Sequence, residues 1–307
     1  MGYDVIGDVH GQYEKLTKLL GMLGYGQHLG ALRHPEGRTA VFVGDLIDYG
    51  SGQVEVLDLV RGMEQRGSAR VVMGNHELNA IGYATPSEDR MGWLREHSGK
   101  NKKQHSEFLK QVGWDSPLHH ELVGWFRTLP IALDLGGIRV CHAWWNDDMI
   151  AVAREVSDAD GRLAENSLSA AFCKGAQAFE VLECLTKGCE VELPEGYTFV
   201  DKSGNVRSAV RVKWWDVNST TYRRAALVSA DQRLDIPDDP LPLGVNLGNP
   251  SPVPVFVGHF RLAGRPAPQN ANTAVLDYSA ANGCPLVAYR WNGEPELADD
   301  GFVSVGN

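Results

Sequence analysis

The chain predicts an α/β fold built on a largely parallel sheet, and three observations carry that prediction. Within the first 80 residues, an apolar stretch, a glycine and an amphipathic segment follow one another three times. Hydrophobic residues make up 43% and charged residues 22% of the 307 positions, an ordinary globular balance that supplies a sizeable core. No apolar run approaches the roughly 18 residues of a membrane-spanning helix.

The elements follow in order. Residues 3–6 read as a short buried strand ending at Gly7. A helix is predicted over 12–22, with Tyr13, Leu16, Leu19, Leu20 and Leu23 at helical spacing and glycines at 21, 24 and 26 to stop it. Residues 39–43 form the second strand, which ends at Gly44, and a helix follows over 53–65. Residues 69–73 form the third, which ends at Gly74, and a helix opens near His76. Alternating strands and helices imply parallel strands with helices packed on them, and ligands in such sheets sit at the carboxyl ends of the strands. Residues 83–127 read as a helical cap or long loop. A hairpin is expected over 131–141 through Gly136-Gly137, mostly helix over 145–190 and a mixed region over 192–252, with a turn-rich run at 237–254. Further strands are expected near 253–257, 273–277 and 285–291.

Charge narrows the partners. Lys plus Arg is 29 and Asp plus Glu is 39, a formal net charge of −10. Such a chain has no global field for long nucleic acid or an anionic membrane, so phosphate handling would need local cations or bound metal. The start of the sequence has no basic or apolar leader pattern, and Ile6 breaks the myristoylation pattern. Five scattered cysteines read as reduced thiols, which points to the cytoplasm.

Four segments share one design, an apolar strand followed by carboxylate, imidazole or amide groups. They are Gly7-Asp8-Val9-His10-Gly11, Gly44-Asp45-Leu46-Ile47-Asp48, Gly74-Asn75-His76-Glu77 and Cys141-His142-Ala143, with Gly258-His259 as a late fifth. Singly, each such Asp also reads as a helix cap and each His as a structural residue. Together they offer the oxygen and imidazole donors that divalent metals take.

In this order the motifs GDVHG, GDLID, GNHE, VCHA and GH resemble the calcineurin-like metallophosphoesterases. The branch resembled is that of the serine/threonine protein phosphatases and bacterial diadenosine-tetraphosphate hydrolases. The resemblance implies a four-layer α/β/β/α sandwich around two sheets. It also implies one catalytic domain over 1–307, with cap or insert segments at 83–127 and 145–250. It implies two divalent metal ions, manganese first with iron or zinc as alternatives. Asp8 and His10 would hold one ion, Asn75, His142 and His259 the other, and Asp45 both. His76 would be the general acid, oriented by Asp48. The implied activity is phosphate-ester hydrolysis by in-line attack of a metal-bridging hydroxide. The substrate would be a phosphoprotein or a nucleotide or dinucleotide polyphosphate. Alternatives are a catalytically silent binding or scaffold protein and a nucleic-acid end phosphatase.

One position departs from the protein-phosphatase pattern GDxxDRG, because Tyr49 stands where Arg binds phosphate. Tyr offers one hydrogen bond and no charge. Replacement cations are sought at Arg223 and Arg224, which follow Trp214-Trp215-Asp216, a stretch resembling the family's Trp-x-Asp segment, and at Arg95 in the cap. Trp144 and Trp145 read as core packing or as a stacking surface beside His142. Asp277-Tyr278 reads as structural, and Glu77 as a residue that orients its loop.

Overall fold

The computed structural model describes residues 2–28, 30–201, 204–242, 245, 247–248 and 251–306. In chain order the principal strands are β1 (Tyr3–Ile6), β2 (Thr39–Phe42), β3 (Ala69–Val71), β4 (Ala132–Asp134), β5 (Arg139–Cys141), β6 (Val255–Val257), β7 (Thr273–Val275), β8 (Leu286–Trp291) and β9 (Phe302–Val305). The helices are α1 (Tyr13–Met22), α2 (Gln53–Gln65), α3 (Asn75–Ala84), α4 (Gly99–Gln104), α5 (Ser106–Val112), α6 (Pro117–Phe126), α7 (Asp147–Glu155), α8 (Gln177–Lys187) and the short α9 (Tyr222–Ala225).

Two sheets form. The first runs β9-β8-β1-β2-β3 and the second β7-β6-β5-β4. Side chains alternate across each strand, and both faces are buried. Val5, Val41, Val140, Phe256, Ala274 and Val287 meet in a core between the sheets. The alternate residues Ile6, Phe42, Val257, Val275 and Ala288 turn outward and share a core with the helical leucines Leu16, Leu19, Leu57 and Leu185. This double burial is why the strands read as short, uninterrupted apolar runs.

The first sheet is mixed rather than largely parallel. β1, β2 and β3 are parallel through strand–helix crossovers, whereas β8 pairs antiparallel with β1, and β9 antiparallel with β8. β8 and β9 are joined by a short connection that holds only a 3-10 turn at Asp299–Gly301 and no α-helical crossover, so they pair antiparallel. In the second sheet β5, β6 and β7 are parallel, and β4 completes the expected hairpin with β5. β9 and the small hairpin of Gly26–His28 with Ala31–Arg33 were not foreseen. Both are short and broken by polar or charged side chains.

A buried carboxylate locks β1 in place. Asp4 accepts from Arg38 at 3.0 Å, Arg290 at 2.9 Å and the Tyr25 hydroxyl at 3.1 Å. The segment over 83–127, read as a cap, contains α4, α5 and α6, with Ser98 and Ser116 accepting backbone N–H groups at the starts of α4 and α6. The region after α8 forms small hairpins around a core of its own that includes Val191, Phe199, Val210, Tyr222 and Ile236. Parts of the 237–254 run lie outside the described residues.

Candidate active site

The predicted residues lie where strands of both sheets end. The loop after β1 is tied to the loop after β2: the Val9 and His10 amides donate to the Asp45 carbonyl at 3.1 and 2.9 Å, and Gly11 to that of Leu46 at 2.8 Å. Glu77, at the start of α3, clamps the next loop. Its carboxylate accepts from the backbone N–H of Asp45 at 2.9 Å, Leu46 at 2.8 Å and Gly74 at 3.1 Å. It therefore orients its loop, as read from the sequence. Space forces glycine at two of these positions. A Cβ on Gly258 would sit 1.9 Å from Asp8 Oδ1, and one on Gly74 2.3 Å from Asp45 Oδ1.

Asp45 is the hub. Its Oδ2 lies 3.7 Å from His10 Nε2, 3.8 Å from His76 Nε2 and 3.3 Å from His142 Nε2. Two donor groups share it: His10 with Asp45 and His76, and Asp45 with His142 and His259. The backbone fixes the tautomers. His10 Nδ1 donates to the Ile47 carbonyl at 2.7 Å and His142 Nδ1 to that of Val43 at 2.6 Å, which frees each Nε2 as a lone-pair donor. Asn75 Oδ1 lies 3.1 Å from His142 Nε2 and 2.8 Å from His259 Nδ1. Asp8 accepts the His259 amide at 3.1 Å, so the first and last motifs meet.

The electrostatics favour a cation. Burial pushes the Asp8 carboxyl well up, and the nearby Asp277 and Asp45 push it further. Burial would raise Asp45 too, but His142 and His76 hold it well below the carboxylate range. Burial, Arg211 and His142 drive His259 far down, and its Nε2 is buried without a hydrogen-bond partner among the described residues. A cluster of carboxylates, an orphaned imidazole nitrogen and an amide oxygen is costly by itself and fits divalent metal ions.

Beside the hub, Asp48 holds two imidazoles. Its Oδ2 is 2.5 Å from His76 Nδ1 and its Oδ1 2.7 Å from His105 Nδ1, while its amide donates to Gln53 Oε1 at 2.8 Å. These contacts outweigh burial and bring Asp48 to about 2. Burial would lower His76, but Asp45 and Asp48 raise it. The cap reaches this point as well: Gln104 Nε2 lies 3.3 Å from His76 Nε2, and Arg95 donates to Gln104 Oε1 at 2.8 Å.

Arg223 and Arg224 are not brought here. They sit on α9 in the outer small core, where Arg223 donates to the Ile236 carbonyl at 2.8 Å and faces Asp238 at 3.9 Å. The preceding Trp214 is anchored instead by its indole N–H on the Ala143 carbonyl. The cation beside Tyr49 is Arg261, which the sequence reading missed. Its guanidinium donates to the Tyr49 hydroxyl at 3.4 Å. His10, Tyr49, Arg261 and Asp277 line a cavity of about 70 Å³. Asp277 also accepts the backbone N–H of Arg261 and of Ser279. The signal for Arg261 was its place two residues after His259. His105 and Gln104 were missed too, being polar residues in a cap whose docking on the site the sequence does not encode locally. Trp145 is buried and Trp144 stacks on Trp214, so both serve packing.

The family description "calcineurin-like phosphoesterase" matches residues 1–175. The chain belongs to that family. It is 36% identical over 167 residues to the asymmetrical bis(5'-nucleosyl)-tetraphosphatase PrpE of Bacillus subtilis strain 168, covering 52% of this chain and 64% of that one. It is 30% identical over 162 residues to a symmetrical bis(5'-nucleosyl)-tetraphosphatase of Aromatoleum aromaticum, covering 51% and 50%. The match thus spans less than two thirds of either curated relative. A protein serine/threonine phosphatase from Saccharomyces cerevisiae shares the fold at TM-score 0.50 and 16% identity, over 99% of this chain and 79% of that structure.

Proposed function

We propose that this family member is a dinuclear metal hydrolase that cleaves phosphate esters by in-line attack of water, with nucleotide polyphosphates as its substrate class. One observation carries the reading: Asp45 belongs at once to two clusters of side chains that could hold a metal ion, His10–Asp45–His76 and Asp45–His142–His259. Asp8, His10 and Asp45 would hold one ion, and Asp45, Asn75, His142 and His259 the other. When bound, such ions supply Lewis-acid charge at a phosphoryl oxygen and lower the pKa of water. His76, set by Asp48, carries the proton that an alkoxide leaving group needs. Tyr49 and Arg261 face the small cavity beside His10 and bind the transferred phosphoryl group, which answers the absence of Arg at position 49.

The substrate class rests on the activity of the two tetraphosphatase relatives and on Tyr49, which departs from the protein-phosphatase pattern. Manganese is the first ion to load; iron and zinc suit the same donors. Among the described residues no helix is long and apolar enough to cross a membrane, and all five cysteines are free, in keeping with a reducing cytoplasm. We read 1–307 as one catalytic domain, with the cap and the region after α8 as its inserts.

The test loads the full chain with manganese and offers p-nitrophenyl phosphate, diadenosine tetraphosphate, a phosphoserine peptide and end-phosphorylated oligonucleotides. Hydrolysis is expected to stop with chelator, and Asp45→Asn is expected to lose bound manganese and activity together. An Asp45→Asn protein that kept both ions would break the assignment. A wild type that bound manganese and cleaved none of the four would leave a scaffold.

A further inference from the structure

Arg95 is a half-buried cation without a carboxylate partner among the described residues. Arg38, Arg139 and Arg290 each face one at 2.9–3.1 Å. Arg95 instead donates through Nη2 to two neutral oxygens, Asn101 Oδ1 at 2.9 Å and Gln104 Oε1 at 2.8 Å. Among the described residues it makes no ion pair, although the charges of Asp48 and Glu183 reach it. Its position is held tightly. The Leu94 and Arg95 amides bond back to Thr85 and Gly82 at 2.9 and 3.0 Å, and the His97 ring stacks between Tyr83 and Trp93.

Its direction gives it meaning. Gln104 joins Arg95 to His76: one end of the amide accepts from the guanidinium, and the other lies 3.3 Å from His76 Nε2. His76 Nε2 is the atom that meets the leaving oxygen in the function proposed above, and the inference rests on that reading. A group departing against His76 Nε2 therefore meets the Gln104 amide donor, with the unneutralised Arg95 guanidinium bonded directly behind it. An alcohol makes little use of that charge. A phosphate makes full use of it, through the charge-assisted bonds that guanidinium forms with phosphate oxygens.

We propose that Arg95 and Gln104 form a leaving-group subsite for phosphate, so that the favoured substrates are phosphoanhydrides whose departing half is itself a nucleoside phosphate. In the step, the water oxygen bonds to the attacked phosphorus and the bridging P–O bond breaks. The electron pair stays on the departing phosphate, and the water's proton passes to solvent. A phosphate with a second pKa near about 6 leaves as an anion at neutral pH, so Arg95 stabilises charge where an alkoxide would need a proton.

The test compares manganese-loaded wild type, Arg95→Met and Arg95→Lys on diadenosine tetraphosphate and on p-nitrophenyl phosphate. The ratio of kcat/KM for the two substrates is expected to fall at least about tenfold in Arg95→Met and to recover largely in Arg95→Lys, as loss and return of a charged hydrogen bond imply. Inhibition of p-nitrophenyl phosphate cleavage by ADP is expected to weaken in Arg95→Met by a similar factor. An unchanged ratio, or a parallel loss on both substrates in both variants, would make Arg95 a scaffold residue and overturn the proposal. So would a wild type that cleaves p-nitrophenyl phosphate but not the tetraphosphate, and in each of these cases the phosphoesterase reading stands. A wild type inactive on every phosphate ester would remove both.

Discussion

Asp45 and His76 divide the work at the level of single residues. Asp45 is a geometric centre, whereas His76, in the proposed function, is one partner in a proton path fixed by Asp48 at 2.5 Å. His76→Asn is therefore expected to retain both manganese ions by elemental analysis and to lose roughly two to four powers of ten in turnover on an alkyl phosphate. Loss of the ions in that variant would show that His76 is a ligand instead. The individual donors were legible in the sequence because each follows an apolar strand and a glycine, a pattern that survives without knowledge of the fold. Arg261 and Gln104 were not legible in that way. Their importance comes from Tyr49 and His76, which lie 212 and 28 positions away.

At the level of elements, the cap owes its shape to packing around buried imidazoles. His119 on α6 is 1% exposed, its ring lies between Phe108 and Trp114, and neither ring nitrogen has a partner among the described residues. Burial lowers it to about 4, with His105 and His120 adding to the effect. The unfolded chain takes a proton there near about pH 6.5. Between that pH and 4 the unfolded state binds a proton that the folded state refuses, so this group costs stability as pH falls through the window. His119→Phe should show a smaller drop in melting temperature between pH 7 and 4.5 than wild type. Equal drops would show that the ring is hydrated. The helices over 12–22 and 53–65 were predicted nearly to the residue because their apolar spacing matches a face laid on the sheet. β9 and the paired strands Gly26–His28 and Ala31–Arg33 escaped notice because three or four residues with polar alternates carry too little period to read.

At the level of the whole molecule, the N-terminal strand is held by charges from distant parts of the chain. Asp4 is fully buried and joins Arg38 before β2 to Arg290 in β8. Asp4→Ala would leave two guanidinium groups without their carboxylate. It is expected to cost about 3 kcal/mol in urea unfolding, since breaking one side of a buried pair leaves an uncompensated charge. A loss below about 1 kcal/mol would mean that water replaces the carboxylate. The α/β class and the strand-end location of the site were legible because they follow from burial on two faces. The antiparallel return of β8 and β9 was not, because strand direction depends on where the chain comes back and not on the composition of either strand.

Seven of the nine non-glycine residues with positive φ among the described residues are His10, Asp45, Asp48, Tyr49, His259, Arg261 and Ser279, all at or beside the proposed site. Each such backbone costs about 1–2 kcal/mol for an L-residue. Glycine would relax every one of them and, at all but Ser279, delete a side chain to which the proposed function gives a role. A laboratory evolution campaign that rewarded heat resistance alone would thus drift toward a hardier, inert protein. One that also screened turnover would find such relief only at Arg90, Ser279 and Asp115, the last at the cost of its contact with His120 at 2.8 Å.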